Sequence, residues 1–280
     1  MKKSRMANTG FTQQEKNGVR FFTIPAFESA GGVVCAFSTR IGGVSPPPYD
    51  TLNFSRSREQ NEANFQENMR RFAEAVGFDN RLAVLDNYEH GIELFHVRPE
   101  DAGRGVVREP LPVFCDGLFT DEPGLPLVSL HADCVPLFFY DPVRRAAAVC
   151  HAGWRGVSGH MVLRTVEALC AIGCRPQDIL GAVGPCISVR CYEVGEEVRD
   201  IFLREFGGES VQERGGRIFA DLNAACVTDM RRAGMAEDHI TVANLCTHEN
   251  EGLFYSHRRD KGQTGAMAAV IMLGTKKPNR

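Results

Sequence analysis

The chain has 280 residues and a formal net charge of −3, with 43% hydrophobic and 24% charged residues. That balance offers no broad basic field for nucleic acid or a membrane surface, and no run approaches the ~18–20 apolar residues of a membrane-spanning helix. Lys2, Lys3 and Arg5 precede no apolar core, which argues against a secretory signal and for a cytoplasmic protein.

Residues 1–19 read as a polar, mobile start, and 20–280 as one domain of ordinary soluble composition. Arg20–Ile24 and Val33–Thr39 read as strands turning at Gly31-Gly32, followed by a Gly- and Pro-rich loop, Ile41–Tyr49. Glu59–Val76 carries apolar or small residues at helical spacing (Phe65, Met69, Phe72, Ala73). Leu82–Tyr88 and Ile92–Val97 read as strands broken at His90-Gly91, Pro99–Pro112 as a polar loop and Val113–Thr120 as a short strand. Three apolar runs follow, Leu125–Leu130, Val135–Tyr140 and Arg145–Cys150, and then a helix over Val157–Gly173. Strand Ile179–Val183, helix Gly195–Phe206, strand Arg217–Ala220, helix Leu222–Ala233 and strands His239–Ala243 and Met267–Leu273 complete the pattern. Strands and helices mix without strict alternation and without internal repeats, which predicts a single α+β domain built of layered, mixed sheets.

The segment Ala146–Gly156, AAAVCHAGWRG, is the most informative. An apolar run ends at His151 in a glycine-flanked turn that carries Trp154, the chain's one tryptophan, and Arg155, just before a predicted helix. Ligands collect in such a turn, outside the carboxyl end of a buried strand. His90 and Cys134 share the feature of ending or interrupting an apolar run beside Gly or Asp. Two imidazoles and a thiolate make a tridentate set for Zn²⁺ with an open fourth position. The same three residues also suit a Cys–His hydrolase with Cys134 as nucleophile, or ordinary buried and surface roles. His131 competes as ligand or base, while His96, His160, His239, His248 and His257 have weaker local contexts. The ten cysteines form no CxxC pair, so they read mostly as small buried hydrophobes in a reducing compartment.

Several segments resemble the YfiH-like family, also called the purine nucleoside phosphorylase or polyphenol-oxidase (laccase) domain family. They include Ser38-Thr39-Arg40-Ile41-Gly42-Gly43, Leu52-Asn53-Phe54, His90-Gly91, Asp116-Gly117-Leu118-Phe119-Thr120, Ala132-Asp133-Cys134, His151-Ala152-Gly153-Trp154-Arg155-Gly156 and Tyr255-Ser256-His257-Arg258-Arg259-Asp260. They run in the family's order from about residue 33 to the last strand. The resemblance implies an α/β/β/α sandwich and a zinc site on His90, Cys134 and His151, which would also be the catalytic residues. It implies phosphorolysis of adenosine, inosine, guanosine or methylthioadenosine, and deamination of adenosine. A role on cell-wall precursors is also attached to bacterial members. A zinc-activated water would serve deamination at the purine C6, whereas phosphorolysis needs an anion site. Arg40 and the Gly153–Gly156 turn with Arg155 are the candidates for that site, and Asp133 is the candidate to orient a ligating imidazole. Asn53 reads as architecture. The family's glutamine two residues before the first histidine is Tyr88 here, and its TGR is Thr264-Gly265-Ala266.

The laccase label implies several coppers, yet no His-x-His pair occurs, so Cu²⁺ is expected only as a substitute for zinc in the one site. The zinc deaminases of nucleic acids are excluded by the lack of a PCxxC segment. Two other functions stay open: a metal-free Cys–His hydrolase, which would resist chelators, and a binding module that zinc only stabilises. The expected partners are a purine nucleoside and phosphate, with a monomer compatible with all of this.

Overall fold

The structure, a computed structural model, describes residues 10–275. Two six-stranded mixed sheets form its centre. The first runs in the order Thr12–Lys16, Val19–Thr23, Val33–Ser38, Met267–Leu273, Leu127–His131, Val84–Leu85. The second runs Ile240–Val242, Leu180–Val183, Val135–Asp141, Ala146–Ala152, Gly117–Thr120, Leu94–His96. A small third sheet joins Glu193–Val194, Arg217–Ala220 and Val211–Arg214.

Alternation along the strands sorts the core into layers, because successive side chains point to opposite faces. Ala147 and Val149 of the second sheet pack with Phe37, Leu127 and Ile271 of the first, closing the space between the sheets. Ala146, Ala148 and Cys150 turn the other way, onto Val162, Val166 and Leu169 of helix Met161–Ala171 and onto Phe202 and Ala225 of helices Glu196–Phe206 and Leu222–Arg232. On the outer face of the first sheet, Ala36, Val128 and Val270 meet Phe65, Met69 and Phe72 of helix Glu62–Val76. Each of these large side chains contributes about 1.5–3 kcal/mol by leaving water. The result is the expected mixed-sheet α+β domain with helices outside both sheets.

Boundaries moved where local chemistry intervened. The long helix begins at Glu62, not Glu59, because Asn61 caps it through the Asn64 N–H at 3.2 Å and Gln60 before it is left-handed (φ 56°). Arg56–Glu59 forms a separate turn of helix. The helix expected over Val157–Gly173 is split into Trp154–Ser158 and Met161–Ala171. The break is His160, at φ 61°, whose imidazole Nδ1 lies 2.8 Å from Asp229. Pro25–Ala30 is a helix rather than part of a hairpin, Pro25 taking the first turn where its missing N–H costs nothing. Of Leu82–Tyr88 only Val84–Leu85 forms a strand, and of Val113–Thr120 only Gly117–Thr120, with Asn87 and Cys115 joined by an isolated antiparallel bridge. Residues 1–9 of the start read as mobile lie outside the described residues. Thr12–Lys16 is an exposed edge strand paired with Val19–Thr23, so from there on that expectation is corrected.

Candidate metal centre and active site

The hairpin of the second sheet brings two of the candidate ligands together. Val135 pairs with Ala152 and Pro136 with His151, so Cys134, one residue before the strand, stands at the same end as His151. His151 has the parity of Ala147 and Val149 and therefore faces the inter-sheet layer. His131, ending a strand of the first sheet, approaches it with ring centroids 5.4 Å apart. At this end the apolar layer between the sheets gives way to polar side chains.

His90 comes from a tight turn in which it is itself left-handed (φ 67°). One buried carboxylate shapes that turn. Asp116 Oδ1 accepts the His90 N–H at 2.9 Å, and Oδ2 accepts those of Glu89 and Gly91 at 3.1 and 2.8 Å. The same Oδ1 lies 3.0 Å from His151 Nδ1, and the Asp116 carbonyl accepts the His151 N–H at 2.7 Å. Asp116 thus sets the His90 turn and favours the proton of His151 on Nδ1, so that Nε2 is the nitrogen that would give up its proton to an ion.

The donor atoms of His90, Cys134 and His151 all lie within 4.8 Å of one another, with His90 exposed, Cys134 half-buried and His151 buried. Burial alone would raise the Cys134 thiol, but the neighbouring imidazoles of His151 and His90 outweigh it and bring it down to about 7. Burial opposes charge on His151 too, yet the Cys134 thiolate and Asp116 raise it to about 10. A thiolate and two imidazoles, one fixed by a carboxylate, fit a zinc-type ion in donor softness and number. Asp86 adds to the fit: its buried carboxylate oxygens have no hydrogen-bond partner, and burial holds it well above the usual carboxylate range, with Asp116 adding to that and His151 opposing it.

These residues open into a cavity of about 410 Å³. Its walls carry the rings of Tyr88, Trp154 and Tyr192, and the cationic side chains of Arg58, Arg155 and Arg258. The Arg58 guanidinium makes no hydrogen bond or ion pair among the described residues. Arg155 lies over the Trp154 ring at 4.3 Å, and Arg258 donates to the Glu193 carbonyl at 2.8 Å.

The other candidates fall out differently. Gly153 lines the cavity, and a Cβ there would sit 3.2 Å from Cys134 Sγ and 3.3 Å from His90 Cδ2. Arg40 does not line it: its guanidinium donates to the Asp50 carbonyl at 2.8 Å and the Glu251 carbonyl at 3.3 Å and covers Tyr255. Its expected phosphate role is therefore corrected to loop bracing. Asp133 touches no imidazole; its carboxylate accepts from Thr247 Oγ1 at 2.6 Å, Ser256 Oγ at 2.9 Å and the Arg258 N–H at 2.7 Å. It anchors the Cys134 turn from behind, and the imidazole-orienting role passes to Asp116. Asn53 is architectural, accepting from the Ala266 N–H at 3.0 Å. His131 is bonded to Ser129, and burial keeps it neutral, well below the usual imidazole range.

The sequence model of the family described as multi-copper polyphenol oxidoreductase laccase matches residues 34–274. The chain belongs to this family. Among laccase-domain relatives, a purine nucleoside phosphorylase from Deinococcus radiodurans is 40% identical over 238 residues, 85% of this chain and 88% of that protein. The purine nucleoside phosphorylase YlmD of Geobacillus stearothermophilus is 35% identical over 270 residues, covering 92% and 96%. The crystal structure of that YlmD superposes with a TM-score of 0.86 at 33% identity, over 95% of this chain and 99% of the other. That of YfiH from Bacillus licheniformis gives 0.86 at 30% identity, over 94% and 98%. The family description speaks of several coppers, but the described residues hold one His/Cys/His set and no histidine cluster suited to a trinuclear centre. No helix among them is long and apolar enough to cross a membrane. Both departures from the family pattern, Tyr88 and Ala266, line the cavity, with the Tyr88 ring 4.6 Å from that of His151.

Sequence reading missed Asp116 and Arg58. Asp116 lies in the Asp116-Gly117-Leu118-Phe119-Thr120 segment, whose membership in the motif series was the available signal. Nothing local marks Arg58.

Proposed function

We propose that this laccase-domain chain is a zinc-dependent purine nucleoside phosphorylase acting on adenosine, inosine, guanosine or methylthioadenosine, with deamination of adenosine as a second activity of the same site. One observation carries the reading: the His90–Cys134–His151 set opens into a cavity that pairs aromatic walls with three guanidinium groups. Tyr88, Trp154 and Tyr192 suit a purine face, and Arg58, Arg155 and Arg258 suit phosphate oxygens. The names of the relatives point the same way.

His90, Cys134 and His151 hold the ion, and Asp116 keeps His90 and His151 aimed at it. A bound zinc supplies Lewis acidity that polarises a substrate or water oxygen. The arginines place phosphate below the ribose C1′ and screen its charge, so that its oxygen bonds to C1′ as the bond to the base nitrogen breaks. The base leaves with the electron pair, and His257, one of the titratable groups that line the cavity and outside the metal-ligand set, is the candidate to protonate it. Arg58 stands in the same cavity as Ala266, and supplies a guanidinium where the family's own arginine is missing.

A metal-free cysteine hydrolase is the competing reading, favoured by the lowered Cys134 thiol beside His151. The test is to measure zinc content and nucleoside products for wild type and Cys134→Ala, with and without chelator. Zinc near one per chain at this centre, adenine from adenosine and phosphate, and loss of both in the variant support phosphorolysis; inosine would reveal deamination. Turnover that needs Cys134 but survives chelation would establish the hydrolase instead. A folded, zinc-loaded protein inert toward every nucleoside would leave a cell-wall precursor as substrate, or a binding module.

A further inference from the structure

Only one other group of three potential ligands occurs among the described residues. Cys191, Cys246 and Glu249 bring two sulfurs and a carboxylate oxygen within 4.8 Å of one another. Two hydrogen-bonded turns present them. The Cys191 N–H donates to the Ser188 carbonyl at 2.9 Å, and the Asn250 N–H and side-chain amide donate to the Cys246 carbonyl at 3.2 and 2.8 Å. The turns are tied together, because Cys186 N–H donates to the Leu245 carbonyl at 3.2 Å and Thr247 N–H to the Cys186 carbonyl at 3.0 Å. The Ser188 N–H points at Cys246 Sγ at 3.3 Å. Arg190 Nε donates to Glu249 at 2.8 Å, in a fork that orients the carboxylate and leaves it lone pairs to share.

We propose that Cys191, Cys246 and Glu249 form a second metal site, for a thiophilic divalent ion such as Zn²⁺ or Cd²⁺, separate from the His90–Cys134–His151 centre. The donor set is soft sulfur with one oxygen, which selects such ions over Mg²⁺ or Ca²⁺. On binding, each thiol gives its proton to solvent, and the three negative donors are then balanced by the divalent ion together with the Arg190 guanidinium. Cys246 is buried, Cys191 half-buried and Glu249 at the surface, so an ion can enter from solvent and keep a water as its fourth ligand. The site has a structural use. Thr247, beside Cys246, donates its hydroxyl to Asp133, the residue before Cys134, and the Asp133 carbonyl accepts the Ile187 N–H at 3.0 Å. An ion joining the two turns therefore braces the backing of the Cys134 turn. Nothing here depends on the activity proposed above.

The test uses the full chain, stripped with chelator under reducing conditions and titrated with Cd²⁺ while the thiolate-to-metal charge-transfer band is followed. Wild type is expected to bind two Cd²⁺ per chain. Cys134→Ser and Cys191→Ser should each bind one, and Glu249→Gln, a surface change that leaves the core intact, should weaken the second ion about tenfold or more. A single Cd²⁺ in wild type, or a second one whose band survives both Cys191→Ser and Glu249→Gln, overturns the proposal. So does a thiol count of eight rather than ten in the unreduced, denatured wild type, which would mean that the pair is a disulfide.

Discussion

Asp116→Asn is the sharpest test of how the primary centre is organised. The carboxylate serves four donors, two per oxygen: His90 N–H and His151 Nδ1 on one, Glu89 and Gly91 N–H on the other. Asparagine keeps one acceptor oxygen and turns an NH₂ toward the other pair, so two donors in this partly buried turn are orphaned whichever way the amide faces. At roughly 1–3 kcal/mol each, the ceiling is about 2–6 kcal/mol of stability before relaxation. Loss of the carboxylate behind a ligating imidazole typically costs ~10–100-fold in metal affinity. The assay is competition for Zn²⁺ against a fluorescent chelator, with thermal melts of the metal-free proteins. Asp133→Asn is the control, because its carboxylate binds Thr247, Ser256 and the Arg258 N–H but no imidazole. It should lower the melting temperature and change affinity less. A folded Asp116→Asn protein that binds zinc within about twofold of wild type would refute the reasoning, as would a larger affinity loss in Asp133→Asn.

Other outcomes follow from the same geometry. Gly153→Ala puts a methyl 3.2 Å from Cys134 Sγ and 3.3 Å from His90 Cδ2, so kcat/KM should fall about tenfold or more with little change in melting temperature; unchanged turnover would show that the turn yields freely. Tyr88→Gln removes a ring 4.6 Å from His151 and should raise KM for the nucleoside about two- to tenfold, with zinc content retained. A drop in zinc content instead would make Tyr88 a support of the metal centre. In chelator-stripped protein near neutral pH, iodoacetamide should label Cys134 first, because its thiol is held down to about 7 while burial pushes those of Cys35 and Cys150 to about 12. Peptide mapping that finds another cysteine modified first would contradict that ordering.

The parts of the molecule legible in the sequence are those set by short-range pattern. The apolar runs around Val135–Tyr140 and Arg145–Cys150 signal buried strands, and the short interval between them makes a hairpin whose register delivers Cys134 to His151. His90 was marked by a broken run and by the family motif. What pattern does not carry is the partner of a polar side chain. Asp133 sits next to a ligand in sequence, yet its oxygens face Ser256 and Thr247, more than a hundred residues away. Asp116, distant in sequence from both histidines, is the residue that meets them. Likewise Arg40 in its glycine-rich loop suggested an anion site, but whether a guanidinium is free depends on which carbonyls fold against it. Helix breaks at Gln60 and His160 were hidden for a related reason. Both residues are left-handed, and at His160 the ring's bond to Asp229 helps to hold that conformation.

The proposed centre would draw its three ligands from a turn after the first sheet's edge strand, from the start of a hairpin and from the hairpin's return strand. An unfolded chain scatters them and offers an ion nothing comparable. Binding is then linked to folding by mass action: once free metal exceeds the dissociation constant, each further tenfold deepens the native state by about 1.4 kcal/mol. The apolar clusters that build the domain do not include these three residues, so the metal-free protein is expected to stay folded, with a bound ion adding to its stability as a graded term. The melting temperature of this chain should therefore report the free zinc around it.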